Sequence, residues 1–221
     1  MALTPEELKL RQGFVGASDV PALFGMDKFK SIVDVWESKV LPLKEQKETP
    51  AIKYGNLLEP VILALACDYL ETKPTWLQTK YRQTKGQMAA NFDGVLRDGN
   101  WTKRGKIQKR PCLIEAKSTG FVGKPMETWG RAGTEDIPSR VLLQAQHQLH
   151  VAQELTSFCG EISKPEICYV ALLSGHDARG LSMYPIKYNP EMGQRIEYVC
   201  NQFWSKYVVP KIKPPIFEDW N

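Results

Sequence analysis

Two carboxylates and an ammonium carry the most chemical information in this sequence: Asp93, then Glu115 and Lys117 on either side of Ala116, at the end of the apolar run Cys112-Leu113-Ile114. On a β-strand, side chains two residues apart share a face, so Glu115 and Lys117 point the same way while Ala116 turns into the packing behind them. Phe92-Asp93-Gly94 closes a second β-prone stretch, Met88 to Leu96, whose Asp93 can meet that pair across the sheet. Carboxylate oxygens hold Mg²⁺, and a cation beside them faces a phosphate, so the set suits phosphodiester hydrolysis. A glutamate and a lysine two apart are by themselves most often an ordinary solvated face. The elements around them carry the reading further.

Those elements alternate between helix and strand. Thr4-Pro5-Glu6-Glu7 is a capping box with proline at the first helical position, predicting a short helix towards Arg11 that Gly13 ends. Ser18-Asp19 precedes a second helix start, Val20 to Phe24, stopped by Gly25; Ile32 to Val40 continues helically, and Leu41 to Thr49 is a charged linker. From Tyr54 to Glu71, Leu58, Ile62, Leu65 and Tyr69 share one helical face, with the regular helix starting or kinking at Pro60. Strands are predicted near Trp76 to Tyr81, Met88 to Leu96, Cys112 to Lys117, Ile167 to Leu173 and Leu181 to Tyr188, with helices from Arg140 to Leu155 and Pro190 to Val208. The expected class is α/β (α+β), a central mixed β-sheet flanked by α-helices in one domain spanning residues 1–221.

Further positions belong with the acidic pair. Glu59, followed by Pro60, is either a site carboxylate or one favoured by a helix dipole. Gln144 and Gln148, four apart, stack on one helix face, separate from the apolar stripe Val141, Ala145 and Leu149. Glutamine amides can orient a water or a phosphate oxygen. His147 and His150 lack a carboxylate at metal-binding spacing and read as packing or surface residues. Lys103, Arg104, Lys106, Lys109 and Arg110 follow Trp101 between the two strands, either tracking phosphates over the site or forming a solvated turn.

Composition sets the outer bounds. The 221 residues are 43% hydrophobic and 24% charged, with 29 Lys and Arg against 25 Asp and Glu, a net +4 that permits a polyanionic partner without requiring one. Five widely spaced cysteines, Cys67, Cys112, Cys159, Cys168 and Cys200, include no C-x-x-C pair and argue against zinc or a disulfide framework. An acidic N-terminus without an apolar leader, and apolar runs too short to span a bilayer, lead to the expectation of a reducing cytoplasm and no membrane.

Taken together, these residues resemble a family. Arg11 and, seven positions on, Ser18 in Gly16-Ala17-Ser18-Asp19-Val20, then Tyr54-Gly55-Asn56-Leu57-Leu58-Glu59-Pro60, Phe92-Asp93-Gly94, Glu115-Ala116-Lys117 and Gln144-Ala145-Gln146-His147-Gln148 stand in one order. In that order and spacing the chain is similar to the phage λ exonuclease and YqaJ-type viral recombinase nucleases, a branch of the PD-(D/E)XK superfamily, over roughly Arg11 to Ala152. Phe92 stands where the superfamily name has proline.

The resemblance implies a restriction-endonuclease-like core. It implies that Asp93, Glu115 and the Ala116 carbonyl hold a catalytic Mg²⁺, with Mn²⁺ as a substitute, and that Glu59 helps hold a second ion or its waters. Lys117 would position or deprotonate the attacking water, Gln144 would assist beside it, and Arg11 with Ser18 would bind a DNA 5′-phosphate. Local physics agrees for Ser18, which opens a helix start where free N–H groups favour an anion, although a plain N-cap satisfies the same residue. The implied reaction is 5′→3′ digestion of one strand of linear double-stranded DNA to mononucleotides, leaving a 3′ tail for a single-strand annealing protein. A homotrimeric ring in the cytoplasm of a bacterial host, encoded by phage or prophage, is implied as well. An endonuclease of restriction or junction-resolving type, and a non-catalytic DNA-binding module, are the alternatives.

Overall fold

Apolar side chains alternate along Lys106–Thr119, and the layering of the molecule follows from that alternation. Cys112 and Ile114 pack to one side and Leu113 to the other, each no more than 3% exposed. The computed structural model describes residues 5–43, 48–72, 76–77, 82–103, 106–122, 127–153, 164–176 and 180–220. In chain order the elements are α1 (Pro5–Arg11), β1 (Val15–Gly16), α2 (Val20–Leu23), α3 (Ile32–Val40), α4 (Pro50–Tyr69), β2 (Trp76–Leu77), β3 (Arg82–Lys85), β4 (Met88–Asn91) and β5 (Gly94–Lys103). Then follow β6 (Lys106–Thr119), α5 (Ser139–Ala152), β7 (Ile167–Ser174), β8 (Leu181–Lys187) and α6 (Pro190–Phe203), the last continued by a π-helical turn, Trp204–Val208.

The main sheet has the order β2-β5-β6-β7-β8, and a smaller one the order β1-β4-β3. β6 and β7 run parallel, Glu115 opposite Val170, while β5/β6 and β7/β8 are antiparallel, so the sheet is mixed. A parallel neighbour needs a crossover, and α5 supplies it. α4 covers one face through Ile62, Leu63, Ala66, Cys67 and Leu70, against Ile114, Tyr169 and Ala171. Helices α2, α3, α5 and α6 cover the other, against Leu113, Val170 and Ile186. The expected architecture, a central mixed sheet flanked by helices, is the one observed.

Several local expectations change. Met88 to Leu96 is not one strand but two, β4 and β5, in different sheets. Phe92, 1% exposed, turns into the core at the break, and the Asp93 side chain bonds the backbone of β6 in place of a strand ladder. α4 starts at Pro50 with Thr49 as N-cap and runs through Pro60. Its buried stripe is rotated from the predicted one, leaving Leu65 and Tyr69 38% and 62% exposed. Glu59 therefore sits mid-helix, away from the favourable dipole end. α2 is a single turn with Asp19 at its N-cap and no side-chain capping bond, so the helix-terminus argument for Ser18 does not hold.

The described residues of the basic stretch lie on β5 and β6, where Lys103 pairs with Lys106. At about 3.3 Å per residue, Glu115 lies on the order of 16 Å along β6 from Arg110 and on the order of 30 Å from Lys106, so the stretch does not overhang the acidic pair. Thr4, the linker at 44–47, the strand region 78–81, Arg104, residues 154 and 155 at the predicted end of the Gln144 helix, and Cys159 lie outside the described residues. Cys67, Cys112, Cys168 and Cys200 are free and buried.

Candidate active site

Glu115 is 2% exposed, and a buried carboxylate is tolerable only if its oxygens are bonded. Gln144 Nε2 donates to its Oε1 at 2.7 Å and Gln148 Nε2 to its Oε2 at 2.6 Å. Lys117 Nζ bonds Oε1 as well. The strand alternation that buries Leu113 under α5 sends Glu115 and Lys117 to the same side, and the i, i+4 spacing of the glutamines puts both amides above them. Ala116 turns the other way, packed with Ile114 on the α4 face.

Asp93 reaches the pair from the break between β4 and β5, where its Oδ2 accepts the Ala116 N–H at 2.9 Å. In an extended strand a residue's N–H and C=O face the same edge, so the Ala116 carbonyl also faces Asp93. Burial, then Glu115, and more weakly Glu59, hold the Asp93 carboxyl well above its usual range, against the pull of Lys117 and the Ala116 N–H. Burial alone would lower Lys117, but Glu115 and Asp93 outweigh it and raise the lysine, keeping it an ammonium. The acidic pair is thus short of positive charge, and Lys117 is the cation that stands in.

Among the described residues, no group of three or more His, Cys, Asp and Glu is arranged to hold a metal ion. The donor set is a carboxylate pair with a neighbouring carbonyl. It fits Mg²⁺, which takes one or two carboxylates and completes its shell with water and substrate phosphate.

Arg11 and Ser18 join the same cavity. Arg11 Nη2 donates to Ser18 Oγ at 2.9 Å, and a cavity of about 130 Å³ runs from these two to Asp93, Glu115, Gln144 and Gln148. Behind Ser18 lies Asp19, 1% exposed, held by Lys30 at 2.5 Å, Lys39 at 2.8 Å and the Gly16 N–H at 3.1 Å. Burial would raise its carboxyl, but Lys39, Lys30 and Arg11 outweigh burial and hold it below the usual carboxylate range. Lys39 is itself lowered, because burial exceeds the pull of Asp19. A second cavity of about 450 Å³ opens on the far side of Arg11 and Ser18, with Lys30 and Lys39 in its wall.

Arg11, Ser18, Asp93, Glu115, Ala116, Lys117 and Gln144 come together in one place, whereas Glu59, on α4, does not line the shared cavity and reaches Asp93 only through its charge. The sequence reading missed Asp19, Lys30 and Lys39. Asp19 adjoined Ser18 in a noted motif, but no spacing signal linked the lysines to it. His147 and His150 are packing residues. Burial pushes His147 down to about 4, against the weaker opposing pull of the Val15 backbone and the Asp19 charge. His150 bridges Tyr188 and Glu197, each at 2.7 Å.

The fold is one shared with several exonucleases of known structure. The chain superposes on the alkaline exonuclease LHK-Exo from Laribacter hongkongensis with a TM-score of 0.60 at 17% identity, covering 95% of this chain and 94% of that one. It superposes on the same enzyme in complex with dAMP with a TM-score of 0.60 at 18% identity and the same coverage. A phage-related exonuclease from Haemophilus somnus 129PT gives a TM-score of 0.58 at 9% identity, over 92% of this chain and 98% of that one. Residues 8–154 match the YqaJ-like viral recombinase domain, and the chain belongs to that family. No curated protein matches the sequence.

Proposed function

We propose that the chain is, as a single domain, a divalent-metal-dependent 5′→3′ exonuclease that digests one strand of linear duplex DNA to mononucleotides and leaves a 3′ single-stranded tail. The observation that carries this reading is the shared cavity, in which the Arg11–Ser18 pair and the Asp93–Glu115 pair line one space. A guanidinium and a hydroxyl at one end suit a terminal phosphate, and the carboxylates at the other suit the phosphodiester one nucleotide in. An enzyme so built is confined to strand ends.

Asp93, Glu115 and the Ala116 carbonyl would hold Mg²⁺, or Mn²⁺ in its place, with Glu59 at the margin. The ion supplies Lewis-acid polarisation of the phosphate and a more acidic water. Lys117 holds its proton and offsets charge on the phosphate as it becomes pentacovalent. Gln144, bonded to Glu115, orients the carboxylate and the water beside it. Gln148 fixes the other oxygen, so the carboxylate cannot rotate away. Ser18 and Arg11 hold the 5′-phosphate and set the register of the cut. A homotrimeric ring around DNA, a single-strand annealing partner and a cytoplasmic setting complete the reading; among the described residues no helix is long and apolar enough to cross a membrane.

The test offers the purified protein linear duplex with a 5′-phosphate, linear duplex with a 5′-hydroxyl, and closed circular DNA, each with Mg²⁺ and with chelator. Loss of the 5′-phosphorylated strand of the linear duplex, with Mg²⁺ only, is expected. Cutting of the circle would make the protein an endonuclease, and no cutting at all would make it a binding module.

A further inference from the structure

Arg140 stands in line with Gln144 and Gln148 along α5, at i, i+4 and i+8, about 6 Å nearer the helix N-terminus than Gln144, the first of the two glutamines that hold Glu115. Its Nε and Nη2 donate to the two carboxyl oxygens of Glu127 at 2.5 and 2.8 Å. Its guanidinium lies 5.7 Å from the ring centre of Phe29, which is 61% exposed. The remaining nitrogen, Nη1, bonds nothing among the described residues. Arg140's positive charge is the least of the influences on Lys117, opposing its protonation, while Glu127 and Asp27 are the acids that act on Arg140 itself.

This is an unfavourable place to keep an arginine for the sake of the helix. The N-terminus of α5 is the positive end of its dipole, it has no side-chain cap, and a cation there is repelled. The fork of Glu127 and the face of Phe29 nevertheless hold the guanidinium in one plane. A guanidinium held in one plane with one nitrogen left over is preset to take an anion's oxygen.

We propose that Arg140 is a phosphate-holding residue of the active site: its guanidinium takes a non-bridging oxygen of the backbone phosphate next to the one being hydrolysed, and Glu127 presets it until that phosphate displaces the carboxylate. The inference rests on the nuclease reading above and extends it to the path of the cut strand. Arginine serves here because its fork can release Glu127 from one edge while offering Nη1 to DNA.

Binding of a fluorescent 5′-phosphorylated duplex is measured in Mg²⁺ across a salt series, in the Lys117→Ala background so that DNA is not consumed. Arg140→Gln is expected to bind about tenfold more weakly, and its plot of log affinity against log salt to be shallower by about one phosphate's share. Arg140→Lys should recover part of the affinity, and Glu127→Gln should bind at least as tightly as the parent, since it frees the guanidinium. Thermal melts of all variants confirm that they are folded. Arg140→Gln binding with the parent's slope would overturn the inference, as would Glu127→Gln losing affinity in step with it, because the pair would then be only a structural bridge. Failure of the underlying reading shows differently: the protein with Lys117 intact would not cut linear DNA at all.

Discussion

Gln148 Nε2 lies 2.6 Å from Glu115 Oε2, and with the Gln144 bond to Oε1 it joins the crossover helix to the central strand at the point where chemistry is proposed. Gln148 is itself 2% exposed, so neither partner can turn to water for a substitute. Replacing it by leucine leaves a buried carboxylate oxygen without its donor. Gln148→Leu should cost about 1–3 kcal/mol of stability, or about 2–4 °C in melting temperature for each kcal/mol, and should slow cleavage as well. A melt indistinguishable from the parent's would show that the bond is dispensable.

Lys117 is held as an ammonium by Glu115 and Asp93. Lys117→Ala is expected to reduce cleavage by about 10²–10³-fold while DNA affinity stays within a few-fold. Arginine separates the two roles open to the lysine, because it keeps the charge and cannot release a proton. If charge is what matters, single-turnover rates for Lys117→Arg will exceed those for Lys117→Ala by about tenfold or more, an estimate on the scale of one lost charge contact. Equal rates would point to proton transfer.

Arg11 touches Ser18 and the shared cavity but bonds neither Asp93 nor Glu115. Arg11→Ala should therefore bring the rate on 5′-phosphorylated ends down to that on 5′-hydroxyl ends, with the latter little changed. The ratio of kcat/KM on the two substrates is the readout. A loss of the same factor on both kinds of end would remove the end-pocket assignment.

Asp93 links the site to pH. Its carboxyl is raised in the fold, first by burial and then by Glu115, so the folded metal-free protein holds this proton more tightly than the unfolded chain does. The group's contribution to stability is therefore fully present below its unfolded value of about 3.9 and lost as pH rises through the folded one. At neutral pH the metal-free protein carries that cost. Asp93→Asn should melt above the parent in chelator at neutral pH. Mg²⁺ at about a hundred times its Kd should stabilise the parent by about 2.7 kcal/mol and leave Asp93→Asn almost unmoved. If the asparagine variant melts lower than the parent in chelator, the acidic pair is not strained.

Much of this site was legible in the chain because strand and helix periods are local. The two-residue period of β6 sends Glu115 and Lys117 to one side and Ala116 to the other, and the four-residue step of α5 stacks Gln144 on Gln148. Neither depends on what packs nearby. The order of motifs that resembles the YqaJ-type nucleases was likewise there to read, and the family match over residues 8–154 agrees with it.

What the periods do not contain is how one element meets another. The stripe of α4 turned, burying Leu63 and Cys67 and exposing Leu65 and Tyr69, because an apolar helix of many leucines offers more than one face and the sheet chose among them. The strand expected to carry Asp93 broke at Phe92, because a core vacancy for the ring and an N–H on β6 for the carboxylate outweighed a continuous ladder. The cluster of Lys30 and Lys39 around Asp19 joins side chains 11 and 20 positions away from it, with no period between them. Local repeats along the chain determined which groups share a face; only tertiary packing decided which faces close on each other, since burial energy depends on the partner surface and not on the segment alone.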